Sequence, residues 1–394
     1  MWLKTTVSTK TDLTSCILEL KGALGDGNLS NLVCYFTEEY DAQSLCAALT
    51  DAFPNIPIIG CSSCRGVMTQ EGYFPNPVIG LLGIYDNPQA AYGSAIALQS
   101  ESIPITRLVD QIIDNALKNA NRVGELPSIV LLHGTPGIEE SLIENIDRKF
   151  GGQVPIIGGS AADNYINNKW SIFTESGVTS EGVALQVLFP SQPVFSGFSA
   201  GYSPTEFSGT ISKANGRVIQ EIDNESASKI YKEWVADHSG IQIAEQYIFE
   251  LVTRFPLGRV VGENFGSQQY KLTHPVRRTS DGGLEVFANV EVGEHISLMT
   301  GSKNQLIDRV SRVVQEASHK SYQNRSIFGS LTIFCAGSML RLGEDIYKVH
   351  QKMVEQLGES DFICPFTFGE QGRFINGENA HGNLMISSVV FYEA

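Results

Sequence analysis

The sequence predicts an α/β protein of two packed halves, built from repeated strand-helix-strand-loop-strand units around mixed sheets. Three observations predict this. One block of sequence is written three times: Pro57-Ile58-Ile59-Gly60-Cys61-Ser62 returns as Pro155-Ile156-Ile157-Gly158-Gly159-Ser160, and more weakly as Phe362-Ile363-Cys364-Pro365-Phe366-Thr367. Its surroundings repeat with it, since an apolar run and a helical pattern precede each copy and a further apolar run follows. Repetition in a fixed order is stronger evidence than any single residue's propensity. Finally, the pattern changes after residue 190, where short runs bounded by Gly, Asn and Asp replace the strand-helix alternation.

Taken in order, residues 5–20 mix strand and helix signals and are left open. Leu32-Val33-Cys34-Tyr35-Phe36 is a strand, 42–53 a helix, 56–60 a short strand and 77–85 the strand that closes the first unit. Residues 90–100 form a strand of small residues, and Leu108, Ile112, Ile113 and Leu117 mark one face of a helix over 104–120. The second unit runs through a strand at 128–133, a helix at 139–150, a short strand at 154–158 and a strand at 182–189. Pro190-Ser191-Gln192-Pro193 is the boundary signal, giving expected domains of 1–190 and 191–394.

Beyond it, strands are expected at 194–203, 209–214 and 217–222, with Asn215-Gly216 as a hairpin turn. Asp223-Asn224-Glu225-Ser226 opens a helix reaching 235, and a second helix is expected over 241–251. Further strands fall at 258–264, 269–275, 284–290 and 296–299, and Leu306, Val310, Val313 and Val314 space a helix over 303–318. The third unit then completes the chain.

A length of 394 residues with 42% hydrophobic and 18% charged content allows two or three globular domains with a large core. The net charge of −15 argues against nucleic acid and anionic membranes as partners. No apolar run approaches a membrane span, and the N-terminus lacks the apolar core of a signal peptide, so a soluble, cytoplasmic protein is expected. The seven cysteines are an odd set, and Cys34, Cys46 and Cys335 lie in apolar patterns. They read as buried thiols of a reducing compartment.

Each short strand ends in small residues. In open α/β sheets ligands collect at the carboxyl ends of strands, and glycine lets a backbone approach them closely. Gly60, Cys61, Ser62, Gly158, Gly159 and Ser160 are therefore expected to line a pocket shared by the units, with Asp163, Asn164 and Glu370 as its polar residues. The same residues also suit tight turns. Cys61 and Cys64 have redox spacing, but Gly159 and Ala162 hold the same places in the second copy, and no second Cys-x-x-Cys completes a zinc site. His133-Gly134-Thr135-Pro136-Gly137 has the look of an oxyanion or phosphate loop, yet no nucleophile elbow or Walker lysine accompanies it, and no catalytic residue is expected.

These residues together resemble the FIST-domain family of sensory proteins, over nearly the whole chain. The likeness rests on Pro57-Ile58-Ile59-Gly60-Cys61-Ser62, Gly158-Gly159-Ser160-Ala161, Asn215-Gly216-Arg217-Val218 with Asp223, Ala227 and Tyr231, Thr367-Phe368-Gly369-Glu370, and His381 with Asn383. It implies a bacterial ligand-binding protein of signal transduction, with a FIST N-terminal-like half (1–190), a FIST C-terminal-like half (191–394) and His381 among the ligand contacts. The chain is similar to the stand-alone nitric-oxide-sensing haemoproteins of that family. This implies haem held by a histidine and a partner histidine kinase acting in trans.

A haem iron needs a neutral imidazole in an apolar pocket. Tyr231, Trp234 and His238 fall at i, i+3 and i+7 on one helix face, which makes His238 the expected metal ligand, ahead of His381 and His274. A half-buried aromatic face with a histidine at the helix end would give the same pattern. Two other functions fit the pocket: a non-haem sensor of a small metabolite such as an amino acid, and an enzyme using the Gly-rich loops on a soluble metabolite.

Overall fold

A computed structural model describes residues 1–25, 27–100, 102–244, 253–264, 267–317 and 325–393. It is an α/β structure with mixed sheets in which the three units are three copies of one arrangement. Unit I lays down Trp2–Ser8, helix Leu13–Leu24, Leu29–Phe36, helix Ala42–Ala52, Ile58–Ser62 and Ile79–Tyr85. Unit II repeats this with Ala91–Leu98, Ile105–Asn119, Ile129–Gly134, Glu139–Phe150, Ile156–Gly159 and Gly182–Phe189. Unit III uses Val194–Ala200, Lys303–Glu316, Ile327–Cys335, Ile346–Leu357, Asp361–Thr367 and Met385–Tyr392. The segment left open at 5–20 is thus the first strand and helix of unit I.

In each sheet the strands run leading, closing, first repeat, short. The first repeat strand and the short strand are parallel, as Leu32↔Ile58, Val130↔Ile156 and Leu331↔Ile363 show. A parallel pair needs a crossover, and the amphipathic helix between them supplies it. The helices cover the outer faces of the sheets. The inner faces of all three pack together, with Tyr35, Leu131, Ile333 and their neighbours in one core.

The stretches expected to be loops are the main departure from the sequence reading. Residues 66–75, 172–179 and 370–382 each form an antiparallel hairpin, and each joins the sheet of a different unit. Hairpin I (66–75) pairs with Asp361–Thr367 of unit III, hairpin II (172–179) with Ile58–Ser62 of unit I, and hairpin III (370–382) with Ile156–Gly159 of unit II. The exchange is circular. Side chains of the incoming hairpins secure it: Glu175 Oε2 accepts from the Ile58 N–H at 2.9 Å, and Asn379 Oδ1 accepts from the Ile156 N–H at 3.0 Å. Strand pairing therefore crosses residue 190 in both directions.

The exchange also brings the three corners together. The Cys64 N–H donates to Phe366 O (2.9 Å), the Ala162 N–H to Ser62 O (3.0 Å) and the Phe368 N–H to Ser160 O (3.1 Å). Corner residues of each unit are thus bonded head to tail around a ring. Close by, in the fully buried axial core, the Tyr35 hydroxyl lies 3.1 Å from His133 Nε2, and His133 Nδ1 lies 2.9 Å from Gly159 O. A carbonyl only accepts, so Nδ1 carries the proton and Nε2 accepts from Tyr35. Tyr35→Phe leaves Nε2 buried and unbonded and is expected to cost about 1–3 kcal/mol, measurable by urea unfolding.

Unit III carries an insert between its leading strand and helix. Strands Ser203–Asn215, Val218–Ile222, Leu257–Asn264, Ser267–Thr273, Pro275–Arg278, Leu284–Val286 and His295–Thr300 build its sheet, and Ser226 caps helix Ala227–Ser239 through the Lys229 N–H. This matches the expected strands and the first expected helix. The helix expected over 241–251 falls largely outside the described residues, and 241–244 are not helical.

Candidate functional site

A cavity of about 660 Å³ opens where the ring of corners meets the insert. This volume is in the usual range for a small-molecule site. Cys64 and Arg65 from unit I, Asn164, Tyr165, Ile166 and Trp170 from unit II, and Phe368 from unit III come from beyond the three corners. The insert adds Arg217, Thr253, His274 and Phe287; Asn383 and Leu384 follow hairpin III; and Cys335, Gly337, Leu340 and Arg341 stand at the start of the unit III crossover.

Backbone strain gathers at this wall. Eight described non-glycine residues have φ in the left-handed region, and five of them are Asn or Asp, which tolerate it. The other three are Arg65 (φ 56°), Ile166 (φ 57°) and Leu384 (φ 56°), and all three line the cavity. A β-branched residue such as Ile166 is strongly disfavoured there. Hydrogen bonds hold each in place. The Arg65 N–H donates to Asn164 Oδ1 at 2.7 Å. The Asp163 carboxylate accepts from the N–H groups of Tyr165, Ile166, Asn167 and Lys169. Glu370 Oε2 accepts from the Met385 N–H at 3.0 Å, next to Leu384. Strain of this kind persists where the surroundings over-determine it and clusters at ligand clamps.

The charges are unequal. Among the described residues lining the cavity there are three arginines and one carboxylate, Glu139. Glu139 is spent: Oε1 accepts from Ser160 Oγ (2.9 Å), and Oε2 from the Gly137 N–H (2.9 Å) and Arg217 Nη2 (2.8 Å). Arg217 also reaches Glu140, at 3.0 Å. Arg65 and Arg341 have no carboxylate partner among the described residues. Arg65 lies over the Tyr165 ring and donates from Nε to Asn164 O, while Arg341 donates to Tyr202 Oη, Thr253 O and Gly301 O. Asn383 is buried; its Oδ1 accepts from the His274 N–H, and its Nδ2 has no partner.

The residues expected from sequence divide sharply. Asn164 lines the cavity. Asp163 and Glu370 lie behind it and hold its strained turns; burial pushes the Glu370 carboxyl well above the usual carboxylate range. Ser160 and His381 are one bond further back, joined through Gln371 Nε2 at 3.3 and 3.2 Å, and burial lowers the pKa of His381. Ser62 accepts from the Ser171 N–H, and Cys61 is buried in the axial core. Gly60, Gly158 and Gly159 are needed for packing: a Cβ would stand 2.2 Å from the Phe173 ring, 1.7 Å from Leu132 O and 2.5 Å from Thr367 Oγ1, respectively.

His238 does not line the cavity. It meets Phe207 and Phe255 edge-on, with Nδ1 3.9 Å from Glu206. Tyr231 on the same helix is fully buried in the insert's own core and donates to Phe255 O at 2.8 Å, and Trp234 packs on that core. The face expected to receive a porphyrin is filled by the insert's sheet, so these residues do not fit a haem.

Comparison with known families agrees with the repeated corners. A FIST N domain model matches residues 31–225, and a FIST C domain model matches 227–373. The chain belongs to the FIST family. FIST domains are sensory, not catalytic, domains of signal transduction. This FIST protein is also similar to an uncharacterized protein of the archaeon Methanocaldococcus jannaschii, 22% identical over 405 aligned positions that span 95% of this chain and 75% of the relative. Among its described residues no helix is long and apolar enough to cross a membrane.

Most of the FIST cavity wall was not found from sequence. Arg65 and Phe368 stand just past the repeated corners, so the repeat pointed to their neighbourhood. Arg217 follows the Asn215-Gly216 turn. Nothing in the spacing of Trp170, His274, Phe287 or Arg341 announces that they meet.

Proposed function

We propose that this protein is a sensor whose small anionic ligand occupies the cavity between the corner ring and the insert, and that it signals to a partner protein in trans. The observation that carries the reading is that, among the described residues, the three non-glycine residues other than Asn and Asp with a left-handed backbone all stand in one wall. Two arginines there, neither in an ion pair with a described carboxylate, supply the demand for an anion. Because the ligand would touch both the corner ring and the insert, its differential affinity could bias their arrangement. The expected result is thermal stabilisation by an anionic metabolite, with affinity falling about tenfold or more in Arg65→Gln.

A haem-based nitric oxide sensor acting on a histidine kinase is the competing proposal. It has one foothold, since His274 is in the cavity wall and burial brings its pKa down to about 3, keeping the imidazole neutral. Haemin added to the purified protein is expected to give no sharp Soret band. A sharp band lost in His274→Ala and kept in His238→Ala would favour haem and overturn the metabolite reading. Covalent catalysis has less support, because burial pushes the Cys64 thiol up to about 12, away from thiolate at neutral pH.

A further inference from the structure

We propose that the ligand is a flat aromatic or heteroaromatic anion rather than a zwitterionic amino acid, an inference that rests on the cavity reading above. Three separate demands of the wall meet in such a molecule. The first is for a π-face. Trp170, Phe287 and Phe368 are only half-buried although they stand in a cavity wall, and Tyr165 is 68% exposed at its edge. Trp170 and Phe368 meet edge to face, with centroids 6.1 Å apart, and His274 lies nearly parallel to Phe287 at 5.6 Å. The parts of the Trp170 and Phe368 rings left exposed in the wall would be covered by another ring in offset or edge-on contact.

The second demand is for negative charge. Arg65 and Arg341 bring two positive charges that form no direct ion pair with a described carboxylate; the nearest carboxylates placed by hydrogen bonds, Glu38 and Glu39, bond to Asn164 beside Arg65. A planar guanidinium suits a carboxylate or phosphate and also stacks on aromatic rings. The third demand is for an acceptor: Asn383 Nδ2 is a buried donor with no partner. A ring carbonyl or ring nitrogen would satisfy it.

The wall also excludes by what it withholds. An amino acid needs a carboxylate or a set of acceptors for its ammonium group. Glu139, the one carboxylate among the described lining residues, already accepts from Ser160, Gly137 and Arg217. Burying an ammonium without an ionic partner is costly. A cavity of about 660 Å³ has room for a fused two- or three-ring system.

The test uses the full chain and a defined set of probes: quinoline-2-carboxylate, indole-3-acetate and flavin mononucleotide, set against cyclohexanecarboxylate, L-phenylalanine and L-leucine. Binding is read by equilibrium dialysis and by thermal shift. At least one of the first three is expected to bind, with affinity lowered about tenfold or more by Arg65→Gln and by Phe368→Leu. Both variants should keep the ligand-free melting temperature near that of the wild type, which separates a lost contact from a lost fold. Carboxylate and phosphate sources are distinguished by which probe binds.

Equal binding of cyclohexanecarboxylate, or Arg65-dependent binding of either amino acid, would overturn the aromatic assignment and leave the cavity reading standing. A probe that binds with unchanged affinity in both variants would instead remove the cavity reading. Failure of all three aromatic anions to bind at about 1 mM would also overturn the assignment.

Discussion

Gly158→Ala is expected to remove the protein from the soluble fraction, or to destabilise it by more than about 3 kcal/mol where it survives. A Cβ at this position would lie 1.7 Å from the Leu132 carbonyl oxygen and 2.7 Å from its carbon. Those atoms belong to the neighbouring parallel strand and cannot rotate aside as a side chain can. The short strand would have to leave its register, and hairpin III, which pairs with Gly158 and Gly159, would leave with it. Gly22→Ala is the control. Gly22 is exposed in a helix, a methyl group added there would meet nothing within 4 Å, and the substitution should stabilise by about 0.5–1 kcal/mol. Melting temperatures of the two variants against the wild type decide the matter; a mild effect at Gly158 would mean that the strand packing is looser than described.

The second large effect is one of acidity. Burial brings the His133 pKa down to about 4 from an ordinary 6.5. The unfolded chain therefore binds a proton that the folded chain refuses between these values, and stability falls as pH falls through that window. From pH 8 to pH 4.5 the loss from this residue is about 2.5 kcal/mol. His274 adds in the same direction, with its pKa at about 3. Glu370 opposes them: burial raises its carboxyl pKa in the fold, so the folded state gains relative to the unfolded state on acidification toward the ordinary carboxylate pKa.

The net curve mixes these signs, but His133→Gln isolates one of them. Glutamine can accept from Tyr35 and donate to Gly159 without titrating. The stability of this variant relative to wild type should rise by about 2.5 kcal/mol between pH 8 and pH 4.5, measured by urea unfolding at each pH. Parallel pH curves for the two proteins would show that His133 is not held neutral.

The strands and helices of the three units were legible because each is long enough to show its period. The helix over Ile105–Asn119 places Leu108, Ile112 and Ile113 on one buried face, as their spacing requires. The hairpins were not legible as pairings. Residues 66–75 are short, and their partner strand lies almost 300 positions away in the chain; local pattern carries no information about which of three equivalent sheets a hairpin joins. The small corner residues were found, but with the wrong emphasis. Gly60 and Gly158 are small because Phe173 and Leu132 press on them. The residues that face the cavity come just after the corners or from the insert. Asp163 and Glu370, expected from sequence as polar residues of the pocket, instead lie behind its wall and fix its backbone.

The exchange of hairpins around the three units has a consequence for how this chain can be divided. Cut at the linker near residue 190, the first fragment would carry hairpin I with nowhere to dock, and its second sheet would end at a bare Ile156–Gly159. An unpaired strand edge of that kind is a template for foreign strands. During synthesis the same edge stays open until hairpin III, more than 200 residues further along the chain, has been made. The scaffold behaves less like beads on a string than like a three-piece burr puzzle, in which no piece holds its shape until the last is in place.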